Sequence, residues 1–134
     1  MAQTDTIADF ITIIRNASSA KKQNLECPLS NMRKSICQIL KREGFIRDYR
    51  VIKDNRQGRL RIYLKYSDDK FKTPAITNLE KVSKSGLRVY RKADDIVAVL
   101  GGRGIAIVST SKGILTDNEC RESNIGGELL CHIW

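Results

Sequence analysis

The chain has 134 residues, 41% of them apolar, and its 24 Lys and Arg outnumber its 15 Asp and Glu for a formal charge of +9. That length fits one domain or two small subdomains with a packed core, and the charge points to a polyanionic partner, nucleic acid ahead of an anionic membrane surface. No apolar run is long enough to span a bilayer, and Asp5 and Asp9 interrupt the pattern a secretory signal needs.

In chain order, the spacing of Ile7, Phe10, Ile11, Ile14 and Ala17 predicts a helix over residues 5–18 with one apolar face. Asp5 or Thr6 is its expected cap, and Thr6 with Asp9 fits a capping box. Arg15 falls near its C-terminal end, where a cation is favoured. Residues 25–29 read as a short extended piece that Pro28 confines to an edge or an end. Ser30 is the expected cap of a second helix running to about Glu43, with Gly44 closing it. A hairpin follows, residues 45–53 and 59–66 around Asp54-Asn55-Arg56-Gln57-Gly58. Its return strand alternates Leu60, Ile62, Leu64 and Tyr66 with Arg59, Arg61, Tyr63 and Lys65, so one face should be buried and the other basic.

Residues 67–74, polar and closed by Pro74, are the expected junction between an N-terminal part, 1–66, and a C-terminal part, 75–134. Strands are expected at 75–82 and 87–92 around Ser83-Lys84-Ser85-Gly86, then one helical turn at 96–100. Gly101, Gly102 and Gly104 break that turn ahead of a buried strand over 105–108. That strand delivers Ser109, Thr110, Ser111 and Lys112 as a loop, with Gly113 free to take a positive φ. Thr116 or Asp117 caps a short helix to about Ser123, and Gly126-Gly127 turns the chain into a last strand, 128–134. The sum is an α+β chain.

The charge is uneven. Residues 1–66 carry 14 Lys and Arg against 6 acids, a net +8, and residues 67–134 carry 10 against 9, a net +1. If both parts meet one polyanion, the first should supply salt-sensitive affinity and the second shape-sensitive contacts. Hydroxyls held at a fixed place suit phosphates, sugars or a polarised carbonyl. Tyr90, with Arg88, Arg91 and Lys92 nearby, offers a ring for stacking on a base or sugar, or for packing. Gly126-Gly127 serves as a turn, as a close approach for a sugar-phosphate chain, or both. Arg15 with Lys21-Lys22 is the main electrostatic patch, extended by Arg47, Arg59, Arg61 and Lys65.

Enzyme signatures are thin. Ser109 to Lys112 has the Ser-x-x-Lys spacing of a serine acyl-transfer site, but Lys84-Ser85-Gly86 precedes it, in the wrong order, and the middle motif is missing. A Ser-His-Asp triad would need His132, the one histidine. Gly101-Gly102-Arg103-Gly104 lacks the companions of a phosphate-cradling loop. Cys27, Cys37, Cys120 and Cys131 lack the spacing of a zinc knuckle or redox pair, and read as reduced, mostly buried thiols. No catalytic residue, metal, cofactor, membrane or small-molecule substrate is expected, and a small serine hydrolase using Ser109 and Lys112 stays as the alternative.

The second half carries a pattern. Residues 104–113, Gly-Ile-Ala-Ile-Val-Ser-Thr-Ser-Lys-Gly, are followed by Thr116-Asp117, Ile125-Gly126-Gly127-Glu128 and a Cys131-x-x-Trp134 ending. Together with Ile7-Ala8-Asp9, Thr12, Ile14-Arg15-Asn16-Ala17, Ser30 and Gly44-Phe45-Ile46, they resemble the bacterial and organellar family of small-subunit ribosomal protein number eight. The resemblance covers essentially the whole chain. It implies two packed α+β subdomains, N-terminal α-β-α-β-β and C-terminal mostly β with short helices. It also implies a non-enzymatic, primary rRNA-binding protein of the small subunit, organising the central domain of 16S-type rRNA among neighbouring ribosomal proteins. The expected RNA-binding residues are then Ser109, Thr110, Ser111, Lys112, Gly126, Gly127, Glu128 and Tyr90, with Arg15 and Asn16 touching backbone nearby. The expected location is the ribosome of the cytoplasm or of a plastid or mitochondrion. Thr6, Ile13, Arg103 and Cys120 depart from the family's usual Pro, Arg, apolar residue and Ala.

Overall fold

The structure, a computed structural model, describes residues 6–67, 73–84 and 86–134. The chain divides into two compact units, Phe10–Thr77, and Asn78–Trp134 with the start of the first helix through Asp9. Most of the expected junction, residues 68–72, lies outside the described residues, as do Asp5 and the Thr6 side chain, the expected caps.

Helix α1 (Thr6–Ser19) buries all five residues whose spacing predicted it. Strands β1 (Asn24–Pro28), β2 (Ile46–Ile52) and β3 (Arg59–Leu64) form an antiparallel sheet in the order β1-β3-β2. Pro28, which has no N–H to give, ends the edge strand β1. Central β3 turns Leu60, Ile62 and Leu64 inward, as its alternation requires. Strand β2 breaks its own alternation, because its register against β3 slips between Ile46 and Asp48. Arg47 is the extra residue of this bulge, and beyond it Val51 is left exposed.

Helix α2 (Asn31–Arg42) starts where Ser30 accepts the Arg33 N–H at 3.1 Å and buries Ile36, Cys37, Ile39 and Leu40. That cap is worth about 1 kcal/mol. Gly44 closes the helix at φ +83°, a left-handed position that a side chain would strain. Arg33 is buried yet satisfied: it donates to the Pro28 carbonyl at 3.2 Å and lies 5.5 Å from the Phe10 ring centre.

In the second unit, strands β4 (Leu79–Lys81), β5 (Tyr90–Arg91), β6 (Ile105–Thr110), β7 (Gly113–Thr116) and β8 (Gly127–Ile133) make one five-stranded antiparallel sheet. Strand β8 is its spine, with β6 along one edge and β4 and β5 end to end along the other. Strand β7 flanks β6, and helix α3 (Asp117–Ser123) follows it. Ala106, Ile107 and Val108 are fully buried, and Ile96, Val108 and Cys120 form a core against which Leu115 and Leu129 pack.

Three expectations are corrected. The strands at 75–82 and 87–92 shrink to β4 and β5; between them Val82 and Ser83 still donate to the Leu130 and Leu129 carbonyls of β8, and the Ser83 hydroxyl takes the Val89 N–H at 2.8 Å across the turn. The helical turn at 96–100 is instead a 3-10 turn at Ala93–Asp95 and a kinked turn at Val99–Gly102 whose Leu100 and Gly101 are left-handed, with Ile96 extended between them and buried in the core. Residues 109–113 are not a loop. Ser109 and Thr110 finish β6, Ser111-Lys112 is a two-residue turn, and β7 returns at once.

Candidate nucleic-acid interface

The tip between β6 and β7 is a short rigid hairpin. Neither Ser111 nor Lys112 takes a positive φ, and Gly113 absorbs the reversal at φ +107°. Thr110 fastens it: its hydroxyl accepts the Lys112 N–H at 3.1 Å and donates to the Gly113 carbonyl at 2.8 Å. The turn thus engages one of the three hydroxyls. Those of Ser109 and Ser111 make no hydrogen bond among the described residues, and Ser111 and Lys112 are exposed.

The root of the hairpin is locked from below. Asp117, 3% exposed, accepts the Ala106 N–H at 3.2 Å and pairs with Arg121 at 3.0 Å. Arg121 also donates to the Ile96 carbonyl at 3.1 Å. Thr116 and Glu119 close a reciprocal capping box at the start of α3. The buried Asp117 carboxylate thus ties the β6 backbone to the start of α3 through one backbone donor and one cation.

The sheet register assembles a row. Tyr90 of β5 faces Glu128 of β8, which faces Ser109 of β6, which faces Ile114 of β7. Directly opposed residues of antiparallel strands share a face, so the Tyr90 ring, 64% exposed, the Glu128 carboxylate and the Ser109 hydroxyl stand side by side. The next row sets Arg91 against Gly127, beside Thr110 and Gly113. Beyond it, an open depression of about 580 Å³ is lined by Tyr90, Arg91, Lys92, Asn124, Gly126 and Gly127, among others. The sheet therefore unites seven expected residues, Tyr90, Ser109, Thr110, Ser111, Lys112, Gly127 and Glu128, with Gly126 at its margin.

The two glycines have a role that neither sequence alternative captured. Neither has a positive φ. A Cβ on Gly127 would run into the Ser109 carbonyl, and one on Gly126 into the Arg91 carbonyl with Lys92 Cα 2.9 Å away. Their missing side chains let β8 lie close against its own neighbours. Glu128 is likewise compensated, since Arg88 reaches its carboxylate at 3.4 Å.

Arg15 and Asn16 are exposed neighbours on α1, in the unit Phe10–Thr77. In that same unit the expected basic face of the hairpin is offset in part by one acid and stays net positive. Arg59 and Arg61 converge on Glu26 at 3.0 and 2.6 Å, Lys41 pairs with Asp48 at 3.0 Å, and Arg47 covers the Tyr63 ring at 5.4 Å. Arg61 and then Arg59 hold the Glu26 carboxyl below its ordinary range.

All four cysteines are free thiols and buried. Burial pushes the Cys131 thiol up to about 12, far from a reactive thiolate. Among the described residues no group of three or more His, Cys, Asp or Glu is placed to hold a metal ion. Sequence reasoning missed β7 and the parts played by Arg88 and Asp117. The apolar Ile114-Leu115 after Lys112-Gly113 was a usable signal for β7. Arg88 and Glu128 lie 40 positions apart, and nothing local announces their pairing.

A family model described as ribosomal protein S8 matches residues 5–134. The small ribosomal subunit protein uS8 of Desulforamulus reducens is 53% identical over 134 residues, covering the whole of both chains. That of Streptococcus pneumoniae serotype 19F is 54% identical over 134 residues, again end to end. With the hairpin tip, the glycine pair and the last strand lying inside a match of this length, the chain belongs to the ribosomal protein S8 family.

Proposed function

We propose that this chain is a structural component of the small ribosomal subunit and a primary binder of its rRNA, organising the central domain of the 16S-type molecule in assembly and translation. Its place is the ribosome, of the cytoplasm or of an organelle, among neighbouring small-subunit proteins. The observation that carries the reading is the pair of unengaged hydroxyls, Ser109 and Ser111, on a hairpin rooted in the core and in line with an exposed Tyr90.

The chemistry suits RNA. An A-form helix offers a wide, shallow minor groove lined with 2′-hydroxyls, and irregular helices splay bases out of the stack. Rotatable hydroxyls at Ser109 and Ser111 donate to or accept from such groups. Lys112 meets a phosphate, and Tyr90 supplies a stacking face. Glu128 accepts a hydrogen bond from a 2′-hydroxyl while Arg88 offsets its repulsion of the backbone. Thr110 holds the tip in shape, and Gly126 and Gly127 keep the chain packed close beside it, at the margin of the open depression. Arg15 and Asn16 add backbone contacts from α1. A serine hydrolase built on Ser109 and Lys112 is set aside, because members of this family are ribosomal structural proteins and not enzymes.

The test is a titration against a central-domain fragment of small-subunit rRNA, with a regular duplex of equal length as competitor, over a salt series. Binding that prefers the irregular fragment and persists at moderate salt is the expected outcome. Equal, steeply salt-dependent binding to both would reduce the protein to a nonspecific polycation.

A further inference from the structure

The outer face of the β1-β3-β2 sheet carries an array of side chains that the hairpin tip does not use, and strand register sets it out in rows. Asn24 of β1 faces Tyr63 of β3, which faces Asp48 of β2. In the next row Glu26 faces Arg61, which faces Arg50, and in the last Pro28 faces Arg59, which faces Ile52. Directly opposed residues share a face. None of these residues is buried, whereas Leu60, Ile62 and Leu64 on the other face are. The bulge adds Arg47, whose guanidinium lies over the Tyr63 ring, 5.4 Å from its centre. Ring and guanidinium then line an open depression of about 410 Å³ together with Asp48 and Arg50.

The face is cationic when every charge on it is counted. Arg47, Arg50, Arg59 and Arg61, with Lys41 reaching over from α2, stand against Glu26 and Asp48. Glu26 is shared between Arg59 and Arg61, and Asp48 is taken by Lys41 at 3.0 Å. The margins do not reverse the sign. At the hairpin turn Lys53 and Arg56 outnumber Asp54, whose carboxylate accepts the Arg56 and Gly58 N–H groups. At the other end Lys65 adds a cation, and Glu43 is paired with Arg42 at 3.4 Å. Arg50 makes no ion pair or hydrogen bond among the described residues, and it stands directly opposite Arg61. Like charges so placed repel each other, and an anion lodged beside them turns that repulsion into attraction.

The partner that fits is a polyanion whose repeating unit is a phosphate beside a planar ring. The cations suit the phosphates, and the stacked Tyr63 and Arg47 suit a base. A regular duplex keeps the faces of its bases inside the stack and offers this surface phosphates alone, and an acidic peptide offers charge without the ring. We propose that the outer face of this sheet binds single-stranded RNA, with one base stacked at Tyr63 and Arg47 and a flanking phosphate on Arg50. Such a site tells an unpaired strand from a duplex and reads no sequence, because every base has a π-face. It lies in the unit Phe10–Thr77, whereas the hairpin tip belongs to the other unit. It goes beyond the central-domain reading and does not depend on it.

The experiment irradiates the full chain with an unstructured oligoribonucleotide of about ten nucleotides carrying one central 4-thiouridine, and locates the crosslinked peptide by mass spectrometry. The expected crosslink falls within β2 or β3. In parallel, Tyr63→Leu and Tyr63→Phe are titrated with the same oligoribonucleotide and with a regular duplex. Tyr63 is half-buried, so Leu keeps most of the apolar contact while removing the ring. Tyr63→Leu should bind the oligoribonucleotide roughly five- to tenfold more weakly, as for loss of one stacked base. Tyr63→Phe should bind it as the wild type does, and both should bind the duplex unchanged. Arg50→Gln should lower the slope of log affinity against log salt for the single strand by about 0.7, one phosphate's share. Crosslinks confined to segments outside β2 and β3, wild-type affinity of Tyr63→Leu for the single strand, or an equal loss in Tyr63→Phe would each overturn the proposal. A wild type that crosslinks here but shows no preference for the central-domain fragment would instead sink the ribosomal reading and leave this site standing.

Discussion

Thr110 and Ser111 are adjacent hydroxyl residues with opposite duties. The first closes the turn with two hydrogen bonds, and the second makes none within the described structure. Ser111→Ala should therefore weaken binding to the central-domain fragment by roughly three- to tenfold, one hydrogen bond's worth, with no change in melting temperature. Gly127→Ala should do the reverse, lowering stability by about 1–3 kcal/mol as the new Cβ pushes on the Ser109 carbonyl. Thermal melts beside RNA titrations of both variants separate the cases. An unchanged melt for Gly127→Ala would contradict the close strand approach, and unchanged affinity for Ser111→Ala would contradict the hydroxyl contact. The residue types at 109–111 were legible in the sequence. Which hydroxyl stays free was not, because that depends on a turn whose return strand went unrecognised.

Among the elements, those with strong periodicity or a cap were legible: α1, α2 with Ser30, the β2–β3 hairpin, and β6 as a buried run. Those set by tertiary demands were not. The segment 93–102 takes its form from the need to bury Ile96, and the basic face of β3 is offset by one charge from Glu26, from a strand more than 30 positions away. That carboxylate makes the β1-β3-β2 sheet acid-sensitive. Arg61 and Arg59 depress the Glu26 pKa from its ordinary 4.5, and Lys41 and the Tyr49 N–H depress that of Asp48 from 3.8. A depressed carboxylate contributes stability that is fully present above its unfolded pKa and is lost as pH falls through the folded one. The urea midpoint of the protein should thus hold steady from neutrality to about pH 5 and decline below it. Glu26→Gln should flatten part of that decline, and a Glu26→Gln profile parallel to wild type throughout would rule out this origin for it. Because these pairs are solvent-exposed, the flattening should be modest and should shrink further in salt.

At the scale of the molecule, charge and recognition are divided. Residues 1–66 hold a net +8 and residues 67–134 only +1, yet the hydroxyl row and its compensated carboxylate belong to the second. Long-range attraction to RNA and discrimination among RNAs should therefore respond to different substitutions. Replacing Arg15 and Lys22 together by Ala should lower the slope of log affinity against log salt by about 1–2, roughly 0.7–0.9 for each phosphate no longer neutralised. It should leave the ratio of affinities for the irregular fragment and the regular duplex unchanged, since backbone contacts position the chain without reading it. Ser111→Ala should show the converse, a reduced ratio at an unchanged slope. A double variant that kept the wild-type slope would remove α1 from the backbone contacts. One that lost the ratio along with the slope would mean that the charged unit takes part in recognition, and the division of labour inferred from the charge distribution would fail.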